Sequence, residues 1–153
     1  MRLWHWQLIP VLPRQQLISQ WRECCAIVKN IHEKGTPNHI LVNPIMNYPS
    51  KDLDTYTRLV GEEMMIRGYN WNFHRYTDYR PDLNVYDFVN SDPDLYLDPI
   101  FVGWHTDNYF WQCYYNLQEK HDRGGITDEE WKLIEKASRL VNTRCCTFGK
   151  NGE

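Results

Sequence analysis

A guanidinium and a carboxylate, Arg22 and Glu23, stand side by side at the end of the run PRQQLISQWRE, residues 13–23, a short way along the chain from the α-amine of Met1. Groups of these types can do imine chemistry on a sugar. An α-amine titrates near 7.7–8, against about 10.4 for lysine, so roughly a tenth of it is neutral and nucleophilic at pH 7 without any burial. A carboxylate within hydrogen-bond reach can shuttle protons and stabilise positive charge developing at the anomeric carbon. This chemistry calls for no metal and no organic cofactor.

Positioning those groups falls to the first helix. Pro13 suits an opening helical turn, where its missing N–H has no partner to lose. Leu17, Trp21, Cys24, Val28 and Ile31 then recur at helical steps and mark one apolar face, and the helix gives way near Gly35 and Pro37. The side opposite Leu17 carries Gln15, Ser19, Arg22, Glu23 and Ala26. Ser19 and Ala26 form a floor of small side chains between a cation and a carboxylate, leaving room for a ligand to approach. The same face also reads as a solvated surface with adjacent charges.

Three further helices are expected. Ser50 caps one through about Arg67, with Leu53, Tyr56, Val60 and Met64 as its stripe and Gly68 as a left-handed terminator. Another runs from about Thr106 to His121 and stops at Gly124–Gly125. The last opens with a capping box, Thr127 to Glu130, and continues to about Val141; the acidic residues of that turn read as helix-start electrostatics and no more. Residues 70–103 hold Pro81, Pro93 and Pro99 and show no sustained period, so they are expected to be irregular, with short turns at most. Leu3–Leu8 and Ile40–Ile45 carry a weak strand signal, too short to assign. Residues 143–153 are expected to be a frayed tail. The chain is therefore expected to be mainly α: one compact helical domain over residues 1–153, with four principal helices and a long irregular segment.

The 153 residues are 42% hydrophobic and 24% charged, enough for one core that buries about two-thirds of the unfolded surface. No long apolar run suggests a membrane span, and no signal pattern opens the chain, which points to a cytoplasmic protein. Five cysteines, in the adjacent pairs Cys24–Cys25 and Cys145–Cys146 plus Cys113, match neither a zinc site nor a disulfide framework and read as reduced thiols. The histidines at 5, 32, 39, 74, 105 and 121 lack metal-ligand spacing, so no metal is expected. The net charge of −3 argues against a protein that coats nucleic acid. The charge is unevenly spread, however. Residues 1–50 carry five basic residues against two acidic ones, and residues 51–100 carry five against ten. Any phosphate-seeking surface belongs to the first third, and its footprint should be small.

Taken as a set, MRLW at the start, RQQL at 14–17 and WRE at 21–23 resemble the pyrimidine-dimer DNA glycosylase family of the endonuclease V type. LVGEEMMIRGY at 59–69 resembles a segment of bacterial members, and His39-x-x-Val42-Asn43 resembles a subgroup that begins MRLWH. The resemblance implies that the α-amine of the first residue attacks C1′ of a damaged nucleotide. The base is expelled, and the resulting imine undergoes β-elimination that nicks the strand, giving linked glycosylase and AP-lyase activities. On this resemblance Met1 and Glu23 are the catalytic residues. Arg2, Arg14, Gln15, Arg22 and His39 are the DNA-binding candidates, and the implied partner is damaged double-stranded DNA, with no metal and no membrane. Arg2 normally blocks removal of the initiator methionine, so the amine belongs to Met1. Gln16 stands where many members have histidine, and Ala26 where the phage-type enzyme has a further arginine. The alternatives are a non-catalytic nucleic-acid-binding or interaction protein on the same scaffold, and an enzyme acting on a different N-glycosidic substrate. Trp111 and Tyr115 could stack on an exposed base, or could be core.

Overall fold

Pro13 has extended backbone and stands at the N-cap of α1, which runs Arg14–Lys34 and closes at Gly35 in the left-handed conformation, φ 75°. A side chain at that φ would clash with its own backbone, which is why glycine ends the helix there. The computed structural model describes residues 1–90 and 99–148, with side chains as far as residue 141. Helix α2 spans Ser50–Ile66, with Pro49 rather than Ser50 at its cap. The Ser50 hydroxyl accepts a long hydrogen bond from Arg80, 3.4 Å, in place of the expected capping role. The turn after α2 places Gly68 at φ 79°.

Residues 70–103 depart from the expected irregular segment. Two short helices form there, α3 (His74–Thr77) and α4 (Val85–Asn90). Pro93 falls outside the described residues. Both weak strand signals resolve as 3-10 turns, Trp6–Val11 and Asn43–Asn47, and no strand occurs among the described residues. Helix α5 covers Asp107–Asp122, with the Thr106 hydroxyl accepting from the Tyr109 N–H. Helix α6 runs Asp128–Phe148, well past the expected end near Val141. Of the tail expected to fray, residues 143–153, residues 143–148 continue α6 and residues 149–153 lie outside the described residues.

The capping box at α6 is reciprocal. Thr127 N–H donates to Glu130, 3.0 Å, and Glu130 N–H donates to the Thr127 hydroxyl, 3.2 Å. Glu130 also accepts from the Arg14 N–H, 3.3 Å, so one carboxylate ties the start of α6 to the start of α1. The acidic turn therefore does more than the expected helix-start electrostatics.

Helix α1 packs on α2 and α3, α2 on α4, and α5 on α6, while the first 3-10 turn wedges between α2 and α6. One buried apolar cluster joins Leu3, Leu8, Leu17, Tyr56, Phe101, Phe110 and Ile134. Gly61 of α2 lies flat against it, where an added Cβ would run into the Trp71 ring at Cε2. The Trp71 ring in turn meets Trp21 of α1 edge-on, with centroids 5.8 Å apart.

Candidate functional site

The opening residues lie along α1 and are clipped there by one buried glutamine. Gln20 is fully buried and makes four hydrogen bonds. Its Oε1 accepts from Trp4 N–H and from the Tyr56 hydroxyl, both 2.9 Å. Its Nε2 donates to the Arg2 carbonyl, 2.9 Å, and to Glu23 Oε2, 3.3 Å. The single Tyr56 proton is shared between Gln20 Oε1 and the Trp4 carbonyl, 2.7 Å away, and Tyr109 donates to the Leu3 carbonyl. Burial pushes both phenols well above their ordinary range, so they act here as donors.

Glu23, half-buried, accepts a hydrogen bond from the backbone N–H of Arg2, 3.1 Å. Covalent geometry keeps the Met1 nitrogen within about 4 Å of that of Arg2. The amine and the carboxylate are thus neighbours across a single residue. The direct partner of Glu23 is the peptide N–H of residue 2, and no ion pair between the Met1 amine and Glu23 forms. Met1 is exposed. Arg2 is half-buried, with its guanidinium 5.4 Å over the Trp4 ring.

Beside Arg2 opens a cavity of about 370 Å³, walled by Trp104 and Tyr109 and rimmed by Ile40 and Leu41. These aromatic faces, and not those of Trp111 and Tyr115, border the opening residues. Trp111 is partly buried against the core, and Tyr115 is exposed on α5. His39 organises the turn that presents Ile40 and Leu41. Its Nδ1 accepts from Leu41 N–H, 3.2 Å, and its own N–H donates to Asn43, 3.0 Å. Arg14 and Gln15 are exposed at the start of α1, and the Arg14 guanidinium sits 5.5 Å over the Tyr69 ring. Arg22 is exposed on the flank of α1 away from the N-terminus, where Lys29 and Arg75 join it around a second groove. The candidates therefore divide: Met1, Arg2 and Glu23 cluster, Arg22 faces the second groove with Lys29 and Arg75, and Arg14, Gln15 and His39 lie outside the cluster.

Behind the cluster two histidines stack, His5 on His105, centroids 5.2 Å apart. His5 Nδ1 accepts from Gln7 N–H and its Nε2 donates to the His105 carbonyl, while His105 Nδ1 accepts from Trp6 N–H. Both rings are therefore neutral. Burial lowers the pKa of His5 to about 4, against the pull of its backbone bond, and burial, with the repulsion His5 would exert once protonated, lowers His105 to about 3. Cys24, Cys25 and Cys113 are free and buried, and burial pushes Cys25 up to about 11, which leaves it protonated and unreactive.

The acidic middle third is less repulsive than its residue count suggests. Asp54 pairs with Arg80, Glu62 with Arg58 and Glu63 with Arg67. Among the described residues no group of three His, Cys, Asp or Glu could hold a metal ion, and no helix is long and apolar enough to cross a membrane.

Gln20, Trp104, Tyr109 and Arg75 escaped the sequence reading. For Gln20 a signal existed: it precedes Glu23 by three residues, a spacing at which helical side chains meet. For the others the partners are remote in sequence and no local pattern announces them.

Compared with known proteins, the model of one family, described as pyrimidine dimer DNA glycosylase, matches residues 1–77. No curated protein and no solved structure matches the chain.

Proposed function

The chain belongs to the pyrimidine dimer DNA glycosylase family, and on that premise we propose that it excises a base from dimer-damaged duplex DNA and nicks the strand through the Met1 α-amine. The observation that carries this reading is the 3.1 Å bond from the residue 2 N–H to Glu23, the Met1 amine being the next nitrogen along the backbone.

In the proposed reaction the neutral amine attacks C1′ of the damaged nucleotide. The N-glycosidic bond breaks, and its electron pair and a proton go to the departing pyrimidine, which stays tethered to its neighbour through the cyclobutane ring. Opening of the sugar at the C1′–O4′ bond gives a protonated imine on Met1. Loss of a proton from C2′ then expels the 3′ phosphate by β-elimination, and water hydrolyses the imine to free the amine. Glu23 supports the charge that develops at C1′ and relays the protons. Arg2 and Arg22 take phosphates on either side of the lesion. Arg14, Gln15 and the His39 turn extend the contact, and Trp104 with Tyr109 offers aromatic faces to an unstacked base.

A second reading, a binding protein without catalysis, is favoured by one observation: Glu23 already accepts structural bonds from Arg2 and Gln20. Incision of a duplex carrying a single cyclobutane dimer separates the two. Catalysis requires that Glu23→Gln and N-terminal acetylation each abolish incision while salt-sensitive duplex binding persists. A wild-type protein that binds the duplex without ever cutting it supports the second reading.

A further inference from the structure

The described arginines fall into two groups. Arg58, Arg67, Arg80, Arg123 and Arg139 each pair with a carboxylate. Arg2, Arg14, Arg22 and Arg75 form no ion pair among the described residues, Arg2 and Arg14 lying instead over the Trp4 and Tyr69 rings. Lys29 is likewise without an ion pair, and Arg22, Arg75 and Lys29 stand together. These three cations surround one groove of about 390 Å³ on the flank of α1. Its floor is Cys25 and Ala26, and Tyr79 walls it, with the Lys29 ammonium 5.9 Å over the tyrosine ring. Asp78 also lines the groove and forms no ion pair with any of the three. The Arg75 side chain is exposed where it lines the groove.

Three cations around one groove, against the single carboxylate of Asp78 that pairs with none of them, leave it net positive, and their mutual repulsion stabilises nothing in the fold. An anion seated between them removes that repulsion. The small side chain at Ala26 leaves the floor open, and α3, packed on α1, supplies from Arg75 a cation that α1 lacks at that turn. From Arg22 to Lys29 the helix rises about 10 Å, a length over which one DNA strand presents about two or three phosphates.

We propose that Arg75, with Lys29 and Arg22, forms a second phosphodiester-binding groove that tracks the DNA strand backbone away from the N-terminal site. This rests on the DNA-repair reading and extends its footprint from the first third of the chain onto α3. The contact is to phosphate, so it is blind to sequence and to damage.

The test is the salt dependence of binding by the full chain to a short fluorescein-labelled duplex, with and without a dimer. Arg75→Gln should weaken binding to both duplexes by a similar factor, about three- to tenfold at moderate salt, and should flatten the log–log salt slope by about one unit. Lys29→Gln should do the same, and Arg75→Lys should restore most of the slope. Both side chains are exposed, so thermal unfolding of the variants should match the wild type. An unchanged slope in Arg75→Gln, with wild-type incision intact, overturns the groove and leaves the repair reading standing. Wild-type protein that never incises, but loses its salt slope on Arg75→Gln, overturns the repair reading and supports the groove. No DNA binding by the wild type overturns both.

Discussion

Replacing Gln20 by glutamate changes one atom type at the point where the opening residues are clipped to α1. The new side chain can still accept from Trp4 N–H and the Tyr56 hydroxyl, as Gln20 Oε1 does at 2.9 Å. When ionised it cannot donate to the Arg2 carbonyl, and it faces Glu23 Oε2 at the 3.3 Å now spanned by a hydrogen bond. The site is fully buried, so the glutamate would take up a proton rather than carry charge there. Its folded pKa then rises above 7 from an unfolded value near 4.3, and the folded state holds a proton that the unfolded state has lost. Stability of the variant relative to wild type therefore falls as pH rises through that window. The penalty is about 1.4 kcal/mol per pH unit above 4.3: about 1 kcal/mol at pH 5 and about 3.7 kcal/mol at pH 7. In thermal unfolding the pH 7 value corresponds to a shift of about 7–15 °C. Urea unfolding of both proteins at each pH, compared as differences, measures it directly. Gln20→Leu provides the contrast, with a loss of roughly 3–5 kcal/mol that does not vary with pH, because it strands the Trp4 N–H and the Arg2 carbonyl. A Gln20→Glu penalty equal at the two pH values, or below about 1 kcal/mol at pH 7, would refute the clip as described.

Other consequences are open to direct measurement. Gly61→Ala places a methyl into the Trp71 ring and should cost about 1–3 kcal/mol or more, seen as a lower melting temperature with unchanged helix content by circular dichroism. The His5–His105 stack binds protons less readily folded than unfolded, so its contribution is complete above about pH 6.5 and is lost as pH falls toward the folded values near 4 and 3. The expected slope approaches about 2–3 kcal/mol per pH unit between pH 6 and 4, and His105→Asn, which can still accept from Trp6 N–H, should flatten it. Glu130→Ala removes acceptors from both Thr127 and Arg14 and should destabilise by about 1–2 kcal/mol; a loss below a few tenths would show that the link between α1 and α6 is idle.

How much of this was legible depended on the range over which each feature is determined. The stripe from Leu17 to Ile31 repeats within one helix; Leu17, Trp21, Cys24 and Val28 are buried, and Ile31 is partly buried against the core. Gly35 and Gly68 mark local backbone conformations, and the Thr127–Glu130 box is a four-residue device, so these too could be read directly. The family resemblance carried by residues 14–23 and 59–69 agrees with the match over residues 1–77. Helices α3 and α4 escaped because four or six residues complete too few turns to show a period. The weak strand signal at Leu3–Leu8 overlaps the 3-10 turn Trp6–Val11, whose apolar residues are set by α2 and α6 on either side, not by their own alternation. Site geometry was the least legible. Arg22 and Glu23 are adjacent in sequence, yet they face different sides of α1, one toward Arg75 and the other toward Arg2. Nothing local to Arg75 announces that it meets Lys29, because that meeting is made by the packing of α3 on α1.

The central claim is that the Met1 nitrogen, held beside Glu23, forms the bond to C1′. It is tested most directly by incubating the full chain with a duplex bearing one cyclobutane dimer, reducing with borohydride, and mapping the cross-link by mass spectrometry of the digested protein. The expected result is a stable secondary amine joining the sugar to the Met1 α-nitrogen, absent in Glu23→Gln. Failure to trap any complex on the dimer duplex, or a cross-link on Lys29 or another lysine in place of Met1, would contradict it.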